Sequence, residues 1–177
     1  PTKDNKNNTS QINTGGYVSP NGEYGKLHLT WYVPFEPGVL EVKAYPDPTS
    51  DVVTATDVIK TAGQPYTIKM TPDKQVILAD GRSLCYIECD IVDKDGNMVP
   101  DAKNLVKFDV VGGAIVGVDN GQQESKELYK WGSVERNIHS ERSAYNGKVL
   151  VIVQSNKNEP GPITVTASFD GSLPAQT

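Results

Sequence analysis

Residues 84–92 read Leu84-Cys85-Tyr86-Ile87-Glu88-Cys89-Asp90-Ile91-Val92. Alternation places Cys85, Ile87, Cys89 and Ile91 on one face and Tyr86, Glu88 and Asp90 on the other, the period-two pattern of a half-buried β-strand. At about 3.3 Å per residue the two cysteines lie roughly 13 Å apart along such a strand. A disulfide needs Cα atoms within about 7 Å, so these two do not bridge. A C-x-x-x-C pair in a chain with only two histidines is also a poor zinc site. Both thiols read as small buried hydrophobes.

The same period recurs on either side. Downstream, Asp93-Lys94-Asp95-Gly96-Asn97 is a turn, and Leu105–Val110, Ile115–Val118, Val149–Val153 and Ile163–Phe169 are strands. Upstream, Tyr66–Met70 and Val76–Ala79 are short strands separated by Thr71-Pro72-Asp73-Lys74, with Asp80-Gly81 turning the chain into residues 84–92. Such a series of short strands has the spacing of a sandwich, and no stretch shows a capped helical period. Before Lys60-Thr61-Ala62-Gly63-Gln64-Pro65, the expected boundary, Leu27–Val33, Leu40–Ala44 and Val52–Ile59 form a three-stranded meander with one apolar face. A meander of that size is marginal alone. The expected fold is therefore all-β: an immunoglobulin-like antiparallel β-sandwich preceded by a partial β-sandwich. Residues 1–62 are assigned to the C-terminal part of an immunoglobulin-like domain with a flexible, polar N-terminal tail, and residues 63–177 to a complete sandwich. The chain begins at Pro1 and reads as a piece of something larger.

Seventeen Lys and Arg against 22 Asp and Glu give a net charge of −5 with no basic block, so phosphate polyanions and anionic membranes are repelled. The longest apolar runs are too short to span a bilayer. No phosphate-binding loop, dinucleotide fingerprint or G-x-S-x-G elbow is present. The Asp93–Asn97 turn begins like a calcium loop but has Asn104 where the closing glutamate belongs. No metal or cofactor is expected.

One connection breaks the rhythm. Asn120 to Ala144 runs about 25 residues without alternation, longer than compact domains ordinarily allow unless the loop has a function or is disordered. Glu124, Glu127, Glu135 and Glu141 share it with Lys126, Lys130, Arg136, Arg142 and, just beyond, Lys148, a mixture that reads as surface ion pairing. Tyr129 and Trp131 are two residues apart, so in an extended stretch they share a face. Such a pair either stacks on a sugar ring or plugs the loop onto the sandwich. Tyr129, Trp131 and, in the same loop, His139 are the candidates for contact with carbohydrate. No catalytic residue is expected, because general acid–base work needs two carboxyls held in a rigid cleft.

The stretch Trp31-Tyr32-Val33-Pro34-Phe35-Glu36-Pro37-Gly38-Val39-Leu40, followed by Val58-Ile59-Lys60-Thr61-Ala62-Gly63, resembles an accessory immunoglobulin-like domain of bacterial glycoside hydrolase family 2 β-galactosidases and the linker after it. Leu78–Gly81, Cys85–Val92, Val92–Asn97 with Val99-Pro100, Gly117–Gly121 and Tyr145–Ser155 extend the resemblance into a further C-terminal domain. Gln122-Gln123-Glu124-Ser125 departs from the D-P-x-S-x-E that often follows in the family, and residues 1–24 do not align with it.

The resemblance implies a parent that is a retaining glycosidase working through two glutamates on a (β/α)₈ barrel. Such a barrel needs about 200 residues or more and eight helical crossovers, which an all-β piece does not contain. The implied role is a non-catalytic accessory region, with the parent's other domains, and galactosides or glycans, as partners. No nucleic acid and no membrane insertion are expected. The implied location is that of the parent: secreted, cell-surface or periplasmic. Two other readings stand beside it. One is a carbohydrate-binding module. The other is an adhesion stalk, since Ala79–Gly81, Asp93–Asn97 and Val99–Ala102 are also similar to invasin/intimin-like repeats. The Trp31–Leu40 stretch favours the glycosidase parent over a stalk.

Overall fold

The computed structural model describes residues 34–46, 49–129 and 139–177. The expected Leu27–Val33 strand, the N-terminal tail and Trp131 lie outside them. The chain divides into two compact units, Pro1–Thr61 and Ala62–Thr177. All ten elements among the described residues are strands.

In the first unit β1 (Val39–Ala44) and β2 (Ala55–Lys60) pair antiparallel, with Val39 opposite Lys60 and Ala44 opposite Ala55. Leu40, Val42, Ala44, Ala55 and Ile59 share one face by the period of the ladder. The pair is tied at both ends. Thr54 donates through its amide and hydroxyl to Ala44 O, and Thr61 N donates to Gly38 O at 2.8 Å.

The second unit has eight strands: β3 (Thr67–Pro72), β4 (Leu84–Val92), β5 (Leu105–Val111), β6 (Gly113–Asp119), β7 (His139–Ser143), β8 (Lys148–Ser155), β9 (Thr164–Ser168) and β10 (Ala175–Gln176). They form two four-stranded antiparallel sheets, ordered β3-β4-β8-β6 and β10-β9-β5-β7. Burial alternates along β5 and β8, as a strand with one face on a core requires. Ile87, Cys89 and Ile91 of β4 are buried together with Val149, Val151 and Val153 of β8, Val106, Phe108 and Val110 of β5, and Val165 and Ala167 of β9. Each fully buried Val, Ile or Phe side chain contributes about 1.5–3 kcal/mol. The sandwich expected from residues 84–92 is present, with those residues as a central strand.

β5 and β6 are consecutive yet belong to different sheets, and the single residue Gly112 carries the chain across. Its φ is +83°, and a Cβ there would stand 2.3 Å from Pro162 O. Only glycine fits.

Two expectations are corrected. Val76–Ala79 is not a strand, and Val76 and Leu78 are 84% and 70% exposed. The chain around it is fixed by side chains instead of a ladder. Tyr86 N donates to Asp73 Oδ1, and Arg82 N and Ser83 N donate to Asp80 Oδ1. The Asn120–Ala144 connection contains a strand, β7, which pairs with β5 at the sheet edge. Its residues His139-Ser140-Glu141-Arg142-Ser143 alternate in burial but not in hydrophobicity, so the pattern that marks strands is missing from the sequence.

Candidate functional site

His139 therefore stands on a strand. On the outer face of the β5–β7 pair, Asp109 lies opposite His139 and Lys107 opposite Glu141. His139 Nδ1 contacts Asp109 Oδ1, and Lys107 Nζ reaches Asp170 Oδ1 at 3.2 Å. Lys107, Phe108, Asp109, His139, Ser140 and Glu141 line a shallow pocket of about 270 Å³. The ionic contacts are solvent-exposed, so each is worth about 0–1 kcal/mol. What the surface offers chemically is a row of hydrogen-bond donors and acceptors on rigid backbone.

Tyr129 is elsewhere. Its backbone carbonyl accepts from Val118 N of β6 at 2.7 Å, and its ring, 56% exposed, lies 4.9 Å from the guanidinium of Arg142. Arg142 points from β7 to the side opposite His139, because odd and even residues of a strand face opposite ways. The structure thus does not bring Tyr129 and His139 onto one face.

Arg142 is the centre of this second cluster, and its side chain is fully buried. Its Nη1 donates to Glu127 O at 2.8 Å and its Nη2 to Asn120 Oδ1 at 3.1 Å. Asp119 Oδ1 lies 3.4 Å from Nη2, and Glu127 Oε2 lies 3.5 Å from Nε. Glu127 in turn accepts from the Ser143 amide at 3.0 Å and from the Ser143 hydroxyl, while Asn120 Nδ2 donates to Ser143 O at 2.8 Å. The expected surface ion pairing of Arg142 is corrected: it is a buried guanidinium gathering residues 119–129 onto β7. A planar fork with five donors suits this, since several acceptors converge on it at once.

Asp93 organises the turn after β4. Its Oδ1 accepts from the amides of Asp95 and Asn97, and its Oδ2 from the amide of Gly63 at 2.7 Å. Asn97 Nδ2 donates to both oxygens. The Gly63 amide, then the Asn97 side chain, hold this carboxyl down at about 2. Its lone pairs are engaged by amide donors. No group of three or more His, Cys, Asp or Glu among the described residues is arranged to hold a metal.

Residues 68–177 match the family model described as glycoside hydrolase family 2 C-terminal domain 5. The chain belongs to that family. It is 42% identical over 146 residues, 82% of its length, to the β-galactosidase BoGH2A of Bacteroides ovatus, of which it spans 16%. Among solved structures it resembles a glycoside hydrolase family 2 member from Bacteroides cellulosilyticus, at TM-score 0.69 and 30% identity, covering 84% of this chain and 19% of that one. A β-glycosidase from Bacteroides vulgatus superposes at TM-score 0.70 and 28% identity, covering 84% of this chain and 18% of that one. The chain thus spans less than one fifth of each of these relatives.

Within this family 2 C-terminal domain, reasoning from sequence missed the Arg142 cluster. The acceptors of Arg142 lie 15 to 23 residues from it, and no local spacing joins them. The one available signal was an arginine at alternate phase to His139 and Glu141, a position that in a strand faces inward.

Proposed function

We propose that this chain is a non-catalytic accessory region of a β-galactosidase-like glycoside hydrolase, serving the parent enzyme as a structural support beside its catalytic domain. The observation that carries this reading is the match of residues 68–177 to a family 2 C-terminal domain, in a chain spanning 16% of a β-galactosidase. The described residues are all strand and loop, which accords with a role in packing and spacing. In this reading residues 1–62 are the end of one immunoglobulin-like domain and residues 63–177 a complete one. The partners are the parent's other domains, and the location is the parent's, secreted, cell-surface or periplasmic. The exposed β1–β2 pair supports the division, since a two-stranded sheet needs further strands to be stable. Incubated with nitrophenyl β-galactoside, the chain releases no nitrophenol above buffer. Turnover that survives repurification refutes the reading.

A second reading, glycan contact by Tyr129, Trp131 and His139, is favoured by the pocket beside His139 and by the exposed ring of Tyr129. Because Tyr129 and His139 face opposite ways from β7, the reading requires two separate contacts. Calorimetry against millimolar galactosides tests it. Binding weakened by His139→Ala or Tyr129→Ala supports it, and no binding removes it.

A further inference from the structure

The segment joining the two compact units has the composition of a flexible linker, Lys60-Thr61-Ala62-Gly63-Gln64-Pro65, yet its two halves are anchored separately. Thr61, the last residue of the first unit, makes two hydrogen bonds to one residue. Its amide donates to Gly38 O at 2.8 Å, and its Oγ1 accepts from Gly38 N at 3.0 Å. Gly63 is fixed to the second unit, where its amide donates to Asp93 Oδ2 at 2.7 Å. Asp93 is only 5% exposed, and its other oxygen is engaged by the amides of Asp95 and Asn97. The residues after Gly63 are held as well. Tyr66 N donates to Val92 O at 2.9 Å, and Lys94 Nζ lies 5.5 Å from the Tyr66 ring centroid. Between the anchors stands Ala62 alone, its methyl packed against the second unit's core.

We propose that the connection is a one-residue hinge at Ala62, bounded by the Thr61–Gly38 latch on one side and the Gly63–Asp93 latch on the other. Hydrogen bonds hold the residues on either side, and the packed Ala62 methyl holds its Cα, so soft rotation is confined to the ψ of Thr61 and the φ of Ala62. Asp93 is then a positioning residue for the hinge. With three amides and the Asn97 side chain as donors, a carboxylate is needed there because it accepts on both oxygens at once. Releasing it turns a one-residue hinge into a linker of about four residues, from Ala62 to Pro65, whose reach grows accordingly.

Amide hydrogen exchange and backbone relaxation on the whole 177-residue chain test this. In the unaltered chain the Gly63 amide exchanges at least about tenfold more slowly than an unstructured peptide. Thr61 and Gly63 have order parameters near about 0.85, the value of rigid backbone. Asp93→Ala removes the protection at Gly63 and lowers order over residues 63–65, while Cys89 and Val151 in the core strands keep theirs. If that variant does not fold, Asp93→Asn keeps the volume with one acceptor oxygen and lowers protection at Gly63 or Asn97. Thr61→Val acts from the other side, raising exchange at Gly38 and leaving Gly63 unchanged. Three results overturn the proposal: an unprotected Gly63 amide in the unaltered chain, Thr61 or Gly63 order parameters below about 0.6, or Gly63 protection that persists in a folded Asp93→Ala variant.

Discussion

Replacing Arg142 by methionine keeps the length of the stem and removes the guanidinium. The loss falls on three hydrogen bonds, to Glu127 O at 2.8 Å, Asn120 Oδ1 at 3.1 Å and, longest, Asp119 Oδ1 at 3.4 Å, and on an ionic contact of 3.5 Å to Glu127. Hydrogen bonds involving a charged group are worth about 1.5–3 kcal/mol each, and breaking a buried pair typically costs about 3–5 kcal/mol. Two features pull the value toward the lower end. The Glu127 and Asp119 side chains are 38% and 43% exposed, so water solvates them once the cation is gone. Arg142 Nε makes no hydrogen bond even in the intact cluster, so part of its desolvation is already uncompensated. The expected loss is about 3 kcal/mol, roughly two orders of magnitude in the folding equilibrium. With a denaturant slope of about 2 kcal/mol per molar in urea, the midpoint of the second unit falls by about 1.5 M. Exchange at Val118 and Ser143 reports the mechanism, because their amides donate to Tyr129 O and Glu127 Oε2. Both accelerate in Arg142→Met. A loss under about 1 kcal/mol, or unchanged exchange at both amides, refutes the argument that Arg142 clamps residues 119–129.

Two other predictions follow from titratable groups. Asp93 has a native value of about 2 against an ordinary 3.8, so its carboxylate form is favoured by folding. That stability is complete above about pH 4 and is lost as pH falls through about 2. The difference in unfolding free energy between the intact chain and Asp93→Ala should shrink across that window, and a difference independent of pH contradicts it. Burial pushes Cys89 up to about 12, and Cys85 is raised for the same first cause. A disulfide reagent at pH 8 should therefore leave Cys89 untouched until denaturant is added, whereas rapid reaction of both native thiols is inconsistent with the structure.

How far the sequence discloses this fold depends on where each strand gets its burial. β4, β5 and β8 bury apolar side chains against both sheets, so their alternation is written in Ile, Val, Phe and Cys, and their phase is legible without a structure. β7 is an edge strand whose inward residues are Ser140 and Arg142, and polarity there carries no phase. Val76–Leu78 shows the reverse failure. Its continuous apolar run, Val76-Ile77-Leu78-Ala79, reads as a strand, but no neighbouring strand pairs with it, so the run has no ladder to join. The carbohydrate candidates divide in the same way. Tyr129 and His139 are ten residues apart in one connection, yet a strand separates their faces, and that strand was the element hidden by its polar composition.

Arg142 and Asp93 answer one physical problem at two places. A sandwich holds its strands by apolar burial between sheets, but a segment leaving the sheet has no apolar face to offer and many backbone groups to satisfy. At β7 the acceptors are carbonyl and side-chain oxygens, and a cation with several donors gathers them. After β4 the donors are amides, and an anion with two oxygens gathers those. The sign of each charge follows from which backbone atoms were left unpaired. It also follows that core and staple variants differ in kind. Phe108→Ala lowers the stability of the whole sandwich by about 3–5 kcal/mol without changing where its connections run. Asp93→Ala frees a connection while the amides of β4 and β8 stay protected. In a domain whose proposed work is to support and space a larger enzyme, the placement of such connections is itself functional, so residues outside the hydrophobic core bear on that role directly.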